Sequence, residues 1–278
     1  MNQRRESQMF LQSIGDGPEH AFDIARAALH LAALTRSRVN LDPAELHLDS
    51  MVRDVATSAQ NEMPASADEA AGILAGIVAQ QNRYRGDDQT YDDLQNADLL
   101  SVIERRMGLP VALGILYIHV ARAQGWGAFG LNFPGHFLIA LELDGSRAIL
   151  DPFHEGMCRT PPELRELLKL FAGQDAELNA NMFLPVPDRG VLLRLLGNTK
   201  LRQLQMNRLE DASETMDAML LIAPQQPELW RDAGMLRVQL GNLRAAIEAL
   251  EMAIERDSHS PRQQQTAALL QQLRQRLN

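Results

Sequence analysis

Residues 108–156 read GLPVALGILYIHVARAQGWGAFGLNFPGHFLIALELDGSRAILDPFHEG, and this stretch decides the fold. Pro110 suits the first position of a helix, and Leu109 before it is biased to extended backbone. From Pro110 to Gln124 apolar side chains run almost all the way round: Val111, Leu113, Ile115, Leu116, Ile118, Val120 and Ala121. A helix without a polar face must be enclosed on most sides, so this one is predicted to be the hub of its domain. After Gly125 the period changes from helical to alternating. Residues 136–143 (HFLIALEL) and the following SRAILD flank Asp144-Gly145, a pair that favours a two-residue hairpin turn because both positions tolerate positive φ. That turn sets a register with Leu143 opposite Ser146, Asp151 opposite Leu138, and His136 as the diagonal neighbour of Asp151. Side chains alternate across a strand, so His136 and Asp151 share a face, with β-carbons roughly 5–8 Å apart.

The residues before the hub read as a helical layer. EHAFDIARAALHLAALT is predicted to bury a stripe of Phe22, Ala25, Leu29 and Ala32 or Ala33. Asp42-Pro43 marks the start of a second helix. Ser66 caps a third that runs to about Gln80, with Glu69 completing a capping box. His20, His30 and His47 sit alone on these helices and read as structural or surface residues. Asp87, Asp88, Asp92 and Asp93 lie close together in a polar stretch, but they lack the alternate spacing, sixth-position glycine and closing Glu of a calcium loop. They read as a solvated loop. Asn96 is placed as the cap of a helix that buries Leu99, Leu100 and Ile103.

Composition narrows the function classes. The net charge of −9 gives no electrostatic support to nucleic-acid binding. A single cysteine, Cys158, excludes an internal disulfide and fits a reducing compartment. The first residues lack the continuous apolar core of a signal peptide, and no window approaches a membrane span. A cytoplasmic protein with no membrane partner is expected.

A His–Asp pair on adjacent strands is the base and orienter of a catalytic triad, because the carboxylate fixes the imidazole tautomer and stabilises its charged form. A buried histidine satisfied by a neighbouring acid is the alternative. The order Tyr84-Arg85-Gly86, Asn96, Glu104-Arg105-Arg106, Gly108-Leu109-Pro110, Pro134-Gly135-His136-Phe137 and Asp151-Pro152-Phe153 resembles the SirB-type branch of the transglutaminase-like, papain-type superfamily. The resemblance implies an α+β, mostly α fold: a helix-plus-antiparallel-sheet domain over residues 1–180, then an all-α tetratricopeptide-like region over 190–278. It also implies a cysteine nucleophile at the start of the hub helix, where the helix N-terminus would lower the thiol pKa. Residues 109–116 are LPVALGIL, without Cys, Ser or Thr. Cys158 lies on the far side of the histidine in a loop-like segment and is a poor substitute. His119, His136, His154 and Asp151 could in principle gather round a metal, but they show no short ligand spacing on one helix face, so no metal is expected, and no cofactor motif is present.

The C-terminal part repeats. Setting Leu196 over Trp230, an offset of 34 residues, also aligns Leu209 with Leu243, Ala212 with Ala246, Met216 with Leu250 and Leu220 with Ile254. That offset is the tetratricopeptide period. Pro224 is placed at the inter-repeat turn with Pro261 near its equivalent, and residues 262–277 as a capping helix. An open repeat groove would offer Asn198, Lys200, Arg202, Gln205, Arg231 and Arg237 to a peptide. Two functions follow: a non-catalytic protein-interaction or scaffold protein with a protein or peptide partner, or an amide- or ester-bond hydrolase or transferase. The second would use His136 and Asp151 with water or Cys158 as nucleophile.

Overall fold

The structure, a computed structural model, describes residues 3–18, 22–36, 38–257 and 261–277, so His20 lies outside the described residues. The fold is mostly helical with a small antiparallel sheet, as the resemblance implies. Two compact units divide the chain: Met1–Arg4 with Glu19–Leu195, and Arg5–Pro18 with Leu196–Asn278. The first helix, α1 (Gln3–Asp16), therefore falls almost wholly in the second unit.

In the first unit α2 (Ile24–Leu34) is capped by Asp23, and α3 (Asp42–Glu62) opens at Asp42-Pro43. Ser66 caps α4 (Ala67–Ala75), which continues as a π turn over Gly76–Gln81. The Glu69 carboxylate accepts from the Ala65 N–H, one residue before the position that a capping box would use. Next come β1 (Arg85–Gly86), α5 (Leu99–Arg105) and β2 (Met107–Gly108), with β1 and β2 paired in parallel. Asp98, not Asn96, caps α5, accepting from Ser101 N–H. The Asn96 amide instead donates to Thr90 O and its carbonyl accepts from Arg105.

The hub helix is α6 (Pro110–Ala123), and every residue from Pro110 to Ala121 is buried. After it come β3 (Gly127–Leu131), β4 (Ile139–Leu143), β5 (Ser146–Asp151), β6 (Met157–Cys158), α7 (Pro161–Ala172), β7 (Pro185–Val186) and α8 (Asp188–Gln205). The five-stranded sheet has the order β6-β5-β4-β3-β7, with each neighbour antiparallel. The β4–β5 register runs from Leu143↔Ser146 to Ile139↔Leu150, as the turn dictates, and Asp144 and Gly145 both take positive φ. Residues 185–186 lie between the two regions expected from sequence, and they form the edge strand of this sheet. Leu131, Phe133, Leu138 and Ala140 pack with Leu164 and Leu168 of α7. On α6, Gly114 brings the helix close to the sheet, since a β-carbon there would lie 2.5 Å from the Phe137 ring. Gly130 of β3 does the same on another side, at 2.7 Å, so the ring next to His136 is clasped between two glycines.

The second unit adds α9 (Leu209–Ile222), α10 (Pro227–Gln239), α11 (Leu243–Arg256) and α12 (Pro261–Leu277). Helices α9 and α11 start 34 residues apart, as do α10 and α12, which is the predicted repeat. The proline matching Pro261 is thus Pro227 at the start of α10, not Pro224. Pro224 instead serves as an acceptor, its carbonyl taking hydrogen bonds from Trp230 Nε1 and Arg256 Nε. Ala246 and Leu250 pack with Leu270 and Leu273 of α12. Close packing also joins α1 to this unit, because a β-carbon at Gly15 would meet Leu221 O at 2.1 Å.

Candidate functional site

Asp151 closes β5, and its carboxylate is fully buried. Oδ1 accepts from His136 Nε2 at 2.8 Å and from the backbone N–H of Phe153 at 3.2 Å. Oδ2 accepts from His154 Nδ1 at 2.8 Å and from Arg159 Nε and Nη2 at 3.1 and 2.7 Å. Burial alone would raise this carboxyl. The hydrogen bond and charge of His136, the Arg159 hydrogen bond and the His154 charge outweigh it and hold the pKa well below the usual carboxylate range. Asp151 is therefore an anion serving three cationic or polar side chains.

The predicted pair does meet, but His136 is not on a strand. It stands in a bend before β4, after Gly135 at φ +71°, and reaches Asp151 from there. Arg194 Nη2 donates to its carbonyl at 2.9 Å. Phe171 of α7 stacks on the imidazole at 5.9 Å and 18°, and Phe153 meets it edge-on at 6.2 Å. The ring is left 6% exposed. Sequence reading did not single out His154 and Arg159 as partners of Asp151. The signal was there: Asp151-x-x-His154 is an i, i+3 pair, and the Pro152–His154 turn is a 3₁₀ turn that eclipses such positions.

His154, with 49% of its side chain exposed, is the accessible member of the group. It lines an open cleft of about 1020 Å³ with Arg85, Gly86, Asp88, Phe153 and Met157. It also lines a second cleft of about 600 Å³ with Arg159, Leu167 and Leu170. His136 is in the wall of neither.

At the N-terminus of α6, Pro110, Val111 and Ala112 are all buried hydrocarbon. Cys158 is opposite Leu150 in the β5–β6 ladder, so it points to the other face of the sheet from Asp151. Burial raises its thiol pKa, as do the charge and hydrogen bond of Asp68 on α4. His119 is elsewhere on α6, with Nδ1 2.8 Å from the Asp23 carboxylate.

The loop before α5 is less solvated than its composition implies. Asp87 is 3% exposed; it accepts from the N–H and hydroxyl of Thr90 and from Arg105 Nη2 at 2.8 Å. Nearby, Arg106 donates to the Tyr84 hydroxyl and to His47 Nε2. Burial, then the Arg106 charge, lowers the His47 pKa to about 4. In the second unit Arg202 is buried, with Nη1 on the Asn198 carbonyl and side-chain oxygen. Arg237 bonds Asp217 and Ala245 O, and Lys200 lies 3.4 Å from Asp232. Gln205 is exposed and Arg231 half-buried.

Residues 43–197 match the transglutaminase-like superfamily, and residues 199–277 match the tetratricopeptide repeat. With its hub helix, antiparallel sheet and His–Asp pair, the chain belongs to the transglutaminase-like superfamily. Within it the chain belongs to the group named UPF0162: it is 31% identical over 217 residues to a UPF0162 protein of Pseudomonas aeruginosa, covering 77% of this chain and 76% of that one. A UPF0162 protein of Vibrio cholerae is 28% identical over 244 residues, 87% of this chain and 88% of the other. A Xylella fastidiosa homologue is 35% identical over 175 residues, an alignment spanning 62% of each chain. No solved structure matches. Among the described residues no helix is long and apolar enough to cross a membrane.

Proposed function

We propose that this chain is a non-catalytic, cytoplasmic interaction protein. Its transglutaminase-like domain keeps a base-and-orienter pair without a nucleophile, and its tetratricopeptide-like helices bind a protein or peptide. One observation carries this reading: the first turn of α6 presents Pro110, Val111 and Ala112, none of which can attack a carbonyl. The cover of Phe171 and Phe153 over His136 supports it, as does the place of the one thiol on the sheet face opposite Asp151. Tetratricopeptide repeats generally mediate contacts between proteins, and the match over residues 199–277 supports reading this part as the partner-binding half.

A hydrolase using water in place of the thiol is the second reading. It draws on His154, which is bonded to Asp151 and open to the larger cleft. Turnover of aryl esters, peptide amides and glutamine-donor transamidation substrates discriminates the two. Wild type, His136→Ala and His154→Ala are expected to show the same background rate. A wild-type rate that falls more than about tenfold in either variant, with the fold intact, means general-base catalysis and overturns the interaction reading.

A further inference from the structure

Three side chains with the chemistry of metal ligands meet at one point of the first unit. His136, Asp151 and His154 each offer one ligand atom, and these atoms lie within 4.8 Å of one another. Their backbone origins are fixed independently. Asp151 ends a strand of the sheet, and His154 follows after one 3₁₀ turn. His136 is held by Arg194 on its carbonyl and by Phe171 against its ring.

We propose that His136, Asp151 and His154 form a binding site for a divalent transition-metal ion of the zinc class. Two imidazole nitrogens and one carboxylate oxygen make a donor set of intermediate softness. It suits zinc, cobalt, nickel or iron, whereas calcium and magnesium take shells of oxygen. Coordination uses Nε2 of His136 and Nδ1 of His154, the same atoms that hydrogen-bond to Asp151. Each ring must present that nitrogen without its proton, which passes to the other ring nitrogen or to water as the ion enters. Arg159 stays on Oδ2 as the outer contact that orients the carboxylate, and Oδ1 turns to the ion. Water or a small anion from the cleft that His154 lines completes the shell. Ion binding goes beyond the interaction reading and stands or falls separately from it, because it is read without any turnover.

The test uses the full, untagged chain, stripped with a chelator and titrated with zinc chloride in a calorimeter at neutral pH. One saturable equivalent is expected. His154→Ala, a change at a half-exposed residue, is expected to weaken binding at least ~100-fold, since loss of an outer contact alone costs roughly 10–100-fold. Glu155→Gln, an exposed acid on the same turn, leaves affinity unchanged, and calcium chloride gives no saturable heat. If His154→Ala loses the far-UV dichroism of the wild type, cobalt chloride added to wild type decides instead. Visible absorption of a low-coordinate nitrogen–oxygen cobalt centre supports the site, and the spectrum of the hydrated ion contradicts it. No saturable equivalent in wild type, or an equivalent that folded His154→Ala keeps, overturns the proposal.

Discussion

Asp151→Ala is expected to destabilise the first unit by about 3–5 kcal/mol, the cost of breaking a buried ion pair by deleting one partner. The loss strands Arg159 and His136 and the two N–H groups of the turn behind β5, because all of them donate to this one carboxylate. Urea unfolding measures it. The chain has two tryptophans, one in each unit, so Trp230→Phe leaves Trp126 as the reporter for the first. Asp151→Asn, which keeps the shape and one acceptor, should fall between wild type and Ala. The same anion sets a pH dependence. Its folded pKa is depressed, so its stabilisation is complete above the unfolded value near 3.8 and is lost as pH falls below it. Asp87 acts in the same direction: its burial is outweighed by its bonds to Thr90 and Arg105. His47, lowered from 6.5 to about 4, also contributes stability that is complete above 6.5 and fades between 6.5 and 4. Acid unfolding should therefore begin near pH 6 and steepen below 4. A midpoint in urea that stays flat from pH 7 to 3 contradicts this account of the three groups.

Phe137→Ala is expected to cost a similar ~3–5 kcal/mol, through lost burial and the cavity left behind. Phe137 is 2% exposed and fills the gap between α6 and β3 that Gly114 and Gly130 leave open. The reverse change is informative as well. Gly114→Ala gains about 1 kcal/mol of helix propensity on an isolated helix. Here it should still destabilise, because the new methyl meets the ring at 2.5 Å and the ring has Gly130 behind it. A Gly114→Ala protein more stable than wild type would mean that the ring has somewhere to go. The position matters for the site, since Phe137 is chemically joined to His136 and its clasp fixes where the imidazole starts.

What could be read beforehand follows from how local each signal was. The hub helix was legible because Pro110 and an unbroken apolar surface need no tertiary information. The β4–β5 register was legible because Asp144-Gly145 fixes it within two residues. The repeat was legible as a period of 34. What escaped depends on contacts distant in sequence. Pro185-Val186 is a two-residue strand, too short for any alternation, and only the free edge of β3 makes it one. Asp87 looked solvated among four carboxylates, and Arg105 buries it from 18 residues away. His136 was placed on a strand by extending the pleat beyond Ile139, where the ladder stops. Its contact with Asp151 survives that error because the bend and the covering Phe171 deliver the ring to the same place. Arg159 was hidden, and His154 was weighed with Asp151 only as a metal ligand, because their spacing has meaning as a hydrogen-bond set only once Asp151 is known to be a buried anion. In the repeats, Arg202 carried the charge of a surface residue but faces inward, and its long stem lets the guanidinium return to Asn198.

The claim on which the functional reading rests is that no side chain of this domain is an activated nucleophile, and the single cysteine makes it directly measurable. Iodoacetamide labelling of Cys158 in the folded wild type and in His136→Ala, followed by mass spectrometry from about pH 5.5 to 9.5, reads the thiolate at its own position. Burial and Asp68 raise this thiol, so labelling should be slow throughout the acid and neutral range, accelerate only at the alkaline end, and be the same in both proteins. Rapid labelling below about pH 7 that disappears in His136→Ala would show a thiolate paired with that imidazole, and the non-catalytic account would be contradicted.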